Sequence, residues 1–217
     1  SAESGFTMEL LADQDPDNSQ GNLEVRGSLL GNMTLSGTNI EVDGTVESFG
    51  TLDADADVDM TFQDNVTSKG RMTMVAGNEI ITNGEVTVNE DALNMSEKGV
   101  IMAKAVEAQD EISIIAHTDN DSGRIIADGP DATITSSQSG IDLLSDHAIF
   151  LGGNVTAYKD ILIKSENRNL SFDHGFILAQ GDITSLNQNI DLYADDSGLG
   201  IILGNNVTAF QDVLFDT

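Results

Sequence analysis

The chain of 217 residues has no cysteine and no tryptophan, two prolines, and nine Lys plus Arg against 37 Asp plus Glu. Zero cysteine excludes a disulfide scaffold and is compatible with either redox compartment. A formal charge of −28 makes nucleic acid and anionic membranes poor partners. No apolar run approaches the length of a membrane-spanning helix, so no membrane insertion is expected. Histidine is restricted to His117, His147 and His174, with no His-X-His and no His-Glu-X-X-His, which leaves a zinc site little support. No nucleophile elbow, P-loop or dinucleotide fingerprint is present, so the expectation is that the protein is not an enzyme.

What the chain has in abundance is itself. Leu151-Gly-Gly-Asn154-Val-Thr-Ala157 returns 52 residues later as Leu203-Gly-Asn-Asn206-Val-Thr-Ala209, and Tyr158 is exchanged for Phe210. Ile134-Thr-Ser ahead of Ile141-Asp-Leu143 matches Ile183-Thr-Ser ahead of Ile190-Asp-Leu192. Asn65-Val66-Thr67 followed by Met72-Thr-Met74 is a more distant copy. A recurring period of this kind means stacked supersecondary units.

The apolar clusters are short, β-branched and bounded by Gly, Asn or Asp. Ile190-Asp-Leu192-Tyr-Ala194 alternates with period two, as a strand with one buried face does. No window sustains helical spacing for more than a turn. With 21 Gly and 17 Asn, the breaks are turns of Asn-Gly and Asp-Gly type. A propeller lacks its aromatic signature here, and a sandwich has no reason to repeat its sequence. The fold class is therefore all-β, a parallel β-solenoid in which like residues stack on like. At about 20 residues per coil the chain makes about ten coils, a rod on the order of 50 Å long. Its interior ladder includes Ile112, Ile114, Ile141, Leu143, Ile161, Ile163, Ile190, Leu192, Val207 and Val213.

Two segments divide the chain. Residues 1–21 hold a short apolar strand and a polar linker, and residues 22–217 are the solenoid domain. Phe6, Met8, Leu10 and Leu11 lie on the first segment. Val213, Leu214 and Phe215 fall inside the last repeat word, with no cap after them. These seven residues are the candidate assembly surface: the expectation is a head-to-tail homopolymer tied by the N-terminal strand. The chain begins at Ser1, which reads as a processed mature protein or an excised fragment.

Three further features suggest ligands. Asp53, Asp55, Asp57 and Asp59 alternate along an extended segment, which places four carboxylates on one face, since alternate residues point the same way. Asp119 and Asp121, like Asp195 and Asp196, sit in Asp-Ser-Gly turns. Either these are solvated acidic surface, or they hold a structural Ca2+. Asn-X-Ser/Thr occurs at Asn32, Asn65, Asn94, Asn120, Asn154, Asn169 and Asn206, as stacking ladders or as glycosylation sites. Arg26, Arg71, Arg124 and Arg168 are isolated, each expected to pair with a neighbouring carboxylate.

The words Gly153-Asn-Val-Thr-Ala157, Gly181-Asp-Ile-Thr-Ser185 and Asn189-Ile-Asp-Leu192 resemble the repeats of filamentous-haemagglutinin-type adhesins. Leu23-Glu-Val25 through Ile40-Glu-Val-Asp-Gly-Thr-Val46 is similar to bactofilins, β-helical proteins that polymerise end to end. Both resemblances imply a β-helix with a structural role, and neither carries over catalytic residues. The expectation is a secreted structural protein at the cell surface, a filament subunit or adhesin meeting surface glycans or other cells. The competing reading is a carbohydrate-binding or carbohydrate-cleaving β-helix.

Overall fold

The computed structural model describes residues 7–12, 21–96, 99–116, 123–166, 175–195 and 200–216. Every regular element among them is a strand, and every strand pairing is parallel. Three sheets of ten, nine and nine strands enclose one core, and consecutive strands along the chain visit the three in turn. The fold is a parallel β-solenoid. Nine strands stacked in eight steps give about eight turns, slightly fewer than the ten expected. The ten-stranded sheet spans roughly 43 Å at 4.8 Å per strand.

We call the ten-stranded sheet face A, the sheet holding Ile40 and Ile125 face B, and the sheet holding Val46 and Val155 face C. Face A strands such as Ile112–Ala116 and Ile161–Ser165 are five residues long, face B strands such as Arg124–Ala127 four, and face C strands such as Val155–Ala157 three. Strands of faces A and C such as Ile161–Ser165 and Val155–Ala157 begin and end on an inward residue, so the words Ile-x-Ile-x-Ser and Val-Thr-Ala are whole strands.

The register explains the repeat. On face A, Ile112, Ile141, Ile161, Ile190 and Val213 form one row, and Ile114, Leu143, Ile163, Leu192 and Phe215 another. On face C, Val106, Ile134, Val155, Ile183 and Val207 form a third. The unit of about 50 residues resolves into two coils, because Ile134–Ser136 and Ile183–Ser185 are separated by Val155–Ala157 in the same sheet. The expected ladder residues occupy these rows. All are buried except Val207, which is half-buried, and Val213, which is 37% exposed.

Backbone carbonyls at the buried corners need donors. Inward serines supply them, in some cases beside a backbone N–H, as Phe176 gives to His147 and Gly70 to Gly50. Ser165 Oγ donates to the His147 carbonyl at 2.9 Å, and Ser185 Oγ to that of Lys159 at 2.6 Å. Ser68 Oγ does the same for Gly50 at 2.7 Å. Glycines let adjacent coils close up: a Cβ on Gly181 would lie 2.2 Å from the Gly153 carbonyl oxygen.

Most of the extra length gathers at one corner. Two residues join Met72–Ala76 to Glu79–Thr82 across the A–B corner. At the same corner seven residues follow Ile112–Ala116, ten follow Ile161–Ser165, and five follow Ile190–Ala194. Insertions thus accumulate along one edge of the rod.

The N-terminal strand, expected as a tie between subunits, lies on its own rod. Thr7–Leu11 is the first strand of face A, paired in register with Asn32–Gly37 from Thr7↔Asn32 to Leu11↔Ser36. Met8 and Leu10 pack against the core. The segment belongs to its own rod because its alternation, Met8 and Leu10 inward, matches the row of Met33 and Leu35.

Candidate functional site

The acidic run does not stay on one face. Asp53 and Asp55 point outward from the face A strand Leu52–Ala56, Asp57 lies in the corner, and Asp59 begins the face B strand Asp59–Phe62. The chain turns between the second and fourth carboxylates, which the alternation alone could not reveal. Asp59 Oδ1 instead accepts from Asn78 Nδ2 at 2.5 Å. Its backbone N–H donates to Asn39 Oδ1 at 3.3 Å, and Asn39 Nδ2 donates to Asn22 Oδ1 at 2.8 Å. Among the described residues, no group of three acidic or histidine side chains is placed to hold a metal. Asp195 lies just beyond a face A strand at the A–B corner. Asp119, Asp121 and Asp196 lie outside the described residues.

Asparagine and aspartate ladders occupy all three corners. Before face C, Asn154 Oδ1 accepts from the Asp182 N–H at 2.9 Å, and Asp182 Oδ1 accepts from the Asn206 N–H at 3.1 Å and Nδ2 at 3.2 Å. Asn65 Oδ1 takes the Glu85 N–H at 3.0 Å. Before face A, Asp160 Oδ1 takes the Asn189 N–H at 3.0 Å, and Asn189 Oδ1 that of Asp212 at 3.1 Å. Three of the seven sequon asparagines, Asn65, Asn154 and Asn206, are therefore rungs that tie one coil to the next. Asn32 Oδ1 is buried beside Gly50, whose Cβ, if present, would lie 2.6 Å from it. Asn94 shares a register row with Met74 and Ile114, and its side chain lies outside the described residues. Asn120 and Asn169 lie outside them altogether, as does Phe6.

The last described layer of face A is the strand Val213–Asp216. Interior residues at the row positions of Val213 and Phe215 are at most 1% exposed from Ile112 through Leu192, yet Val213 is 37% and Phe215 49% exposed. Leu214, at 57%, points outward from the same strand. Among the described residues the strand Val213–Asp216 pairs with Ile190–Ala194 alone. Its other edge offers backbone N–H and C=O groups to a further strand. Leu11, at the opposite end of face A, is 39% exposed.

The cations do not all behave as expected. Arg26 pairs with Glu24 at 2.5 Å, Lys104 with Asp131 at 3.2 Å, and Lys164 with Glu166. Among the described residues neither Arg71 nor Arg124 has a carboxylate within ion-pair distance, and Arg168 lies outside them. Of the histidines, His147 is buried at the A–B corner beside buried Asp146, while His117 and His174 lie outside the described residues. On face A, burial pushes the Asp142 carboxyl above its usual range, and the nearby charge of Asp160 adds to the effect.

One feature escapes the period-two reading. The face B strands Gly99–Met102, Arg124–Ala127, Ala148–Leu151, Phe176–Ala179 and Gly200–Leu203 contain no acidic residue, whereas each of the four face B strands before them carries Glu or Asp. Their outward row runs Ile101, Ile126, Phe150, Leu178, Ile202. The signal in the sequence is the loss of alternation: Gly-Val-Ile-Met, Ala-Ile-Phe-Leu and Phe-Ile-Leu-Ala are apolar on both faces.

No family model, no curated protein and no solved structure matches this chain.

Proposed function

We propose that the protein is a secreted structural rod of the cell surface, a filament subunit or adhesin, that extends by stacking further strands on its open layer. The observation that carries this reading is the register of like residues stacked on like through the ten strands of face A, a pattern that further coils or a second copy can continue. A layer whose inward side chains are apolar and whose outer strand edge is free gains buried area and backbone hydrogen bonds together when another coil covers it. What covers it must offer the same alternation, as further coils of this repeat or a second copy would. A head-to-tail contact of that kind does not close, so it propagates into fibres. The acid-rich, lysine-poor surface keeps the sides of such rods apart, which favours growth along the axis over lateral clumping.

Negative-stain microscopy and sedimentation over a range of protein and salt concentrations test the reading. Rods longer than a single chain, or a sedimentation coefficient that rises with concentration, are expected. Val213→Asp combined with Phe215→Asp places two charges on the open layer and should return the protein to single rods without lowering its melting temperature by much. A wild-type chain that stays monomeric at every concentration and salt level refutes end-on stacking.

A further inference from the structure

We propose that face B carries a binding site for a small amphiphilic carboxylate, with Arg124 as the anion contact and Ile126, Phe150 and Leu178 as the apolar floor. The site is a groove of about 420 Å3 on the outside of the rod, within the size range of small-ligand pockets. Its rim is completed by Asp128 and Gln180.

Three independent features select this ligand. The first is the floor. Ile126, Phe150 and Leu178 are register neighbours in successive coils, with Ile202 continuing the row. Phe176 packs edge-on to Phe150, with ring centroids 5.0 Å apart. From Ile126 to Ile202 the row runs about 14 Å, three strand spacings, parallel to the rod axis. An alkyl or aryl body lying along it would remove these side chains from water.

The second is charge. The molecule carries −28, but the last five strands of face B carry no carboxylate and one cation, Arg124. Arg124 is exposed and, among the described residues, has no carboxylate within ion-pair distance. A guanidinium so placed offers a fork to a carboxylate, and charge-assisted bonds of this type are the stronger ones.

The third is the wall. The B–C corner after Arg124–Ala127 takes six residues before Ile134–Ser136, where the next coil takes three between Ala148–Leu151 and Val155–Ala157. The longer corner holds Asp128 and Gly129 against the groove. Asp128 lies about 13 Å along the chain from Arg124, four residues at strand rise. It stands across the groove from Arg124 in the same coil, so it repels an anion from that edge and leaves the Arg124 edge as the one that accepts a carboxylate. The strongly negative remainder of the rod opposes docking on an anionic bilayer, so a free amphiphile is the occupant rather than a lipid surface.

Dodecanoate, kept below its micelle concentration, is the probe, followed by calorimetry and by two-dimensional NMR of Phe150 and Leu178. Saturable one-to-one binding is expected, weakened about tenfold or more by Arg124→Gln and abolished by Leu178→Asp. Dodecanol, which keeps the chain and loses the charge, should bind the wild type more weakly and should be indifferent to Arg124→Gln. Both variants alter exposed or half-exposed side chains, and unchanged circular-dichroism melting confirms that they fold. Equal dodecanoate affinity in wild type and Arg124→Gln overturns the proposal. So do binding only to anionic vesicles, and a sedimentation shift showing that this face pairs with a second copy instead.

Discussion

Asp142 shows how an outward position can still be expensive for a charge. It stands in a row between Ser113 and Leu162, and burial raises its carboxyl above the usual range, with Asp160 reinforcing the shift. A carboxyl that holds its proton more tightly when folded destabilises the fold at pH above its raised value. That penalty disappears as pH falls through the raised value towards the ordinary carboxylate range near pH 4. Asp142→Asn is therefore expected to raise the melting temperature at neutral pH and to match the wild type near pH 3. A variant that melts lower at neutral pH would show instead that Asp142 makes a contact requiring its charge. The corner serines illustrate the converse case, where the polar group is needed inside. Ser145 Oγ donates to the Gly123 carbonyl at 2.6 Å and accepts from the Ala148 N–H at 3.1 Å, so an apolar residue there would remove both buried hydrogen bonds.

At the scale of the strand, position within the stack decides what a residue contributes. Ile163 has coils on both sides and is fully buried, whereas Val213 occupies an equivalent kind of inward position with a coil on one side only. Ile163→Ala should cost about 2–5 kcal/mol, the usual range for emptying a packed interior site. Val213→Ala should cost well under half of that, since much of its surface is already in water. Urea unfolding of the two variants against wild type makes the comparison. Equal losses would mean that the terminal layer is covered in solution, as end-on stacking would cover it at high protein concentration. The outward rows matter less to stability and more to solubility: on face C they read Thr135, Thr156, Thr184, Thr208, polar and β-branched, which suits an exposed strand.

For the whole rod, self-repulsion is the largest influence on stability beyond the core. With −28 formal charge, few cations, and the ion pairs of Arg26, Lys104 and Lys164 exposed or half-exposed, the folded state gathers like charges that the unfolded chain spreads apart. Raising NaCl from low to physiological strength shortens the screening distance from about 30 Å to about 8 Å. The melting temperature should rise over that range. Because the described carboxylates are dispersed over faces and corners, CaCl2 at equal ionic strength is expected to match NaCl. A clear excess for Ca2+, reversed by chelation, would locate a cation site in the corner insertions that contain Asp119, Asp121 and Asp196. Stability of stacked coils is also cooperative between neighbours, so a break in the middle of the rod should cost more than one at the open layer.

The sequence by itself determined the all-β class, the stacking and the interior rows. Side chains that alternate with period two and recur at a fixed spacing have one self-consistent burial, and Ile141, Ile161 and Ile190 announce it. It suggested a stacking role for Asn154 and Asn206, and only the structure showed that the rung between them is Asp182, because the 52-residue period spans two coils. Corners were another matter. Alternation carries no mark of where the chain turns, so Asp53 and Asp59 looked coplanar and prove to lie on different faces. The length of a coil varies with its corner insertions, which shifts the coil count without disturbing any strand. Only the three-dimensional stack could show that Thr7–Leu11 joins its own rod, because strand pairing between distant segments leaves no local trace. The apolar row with Arg124 is likewise a product of register: its members stand 24, 28 and 24 residues apart, and nothing but the closing of successive coils brings Ile126, Phe150, Leu178 and Ile202 into one line.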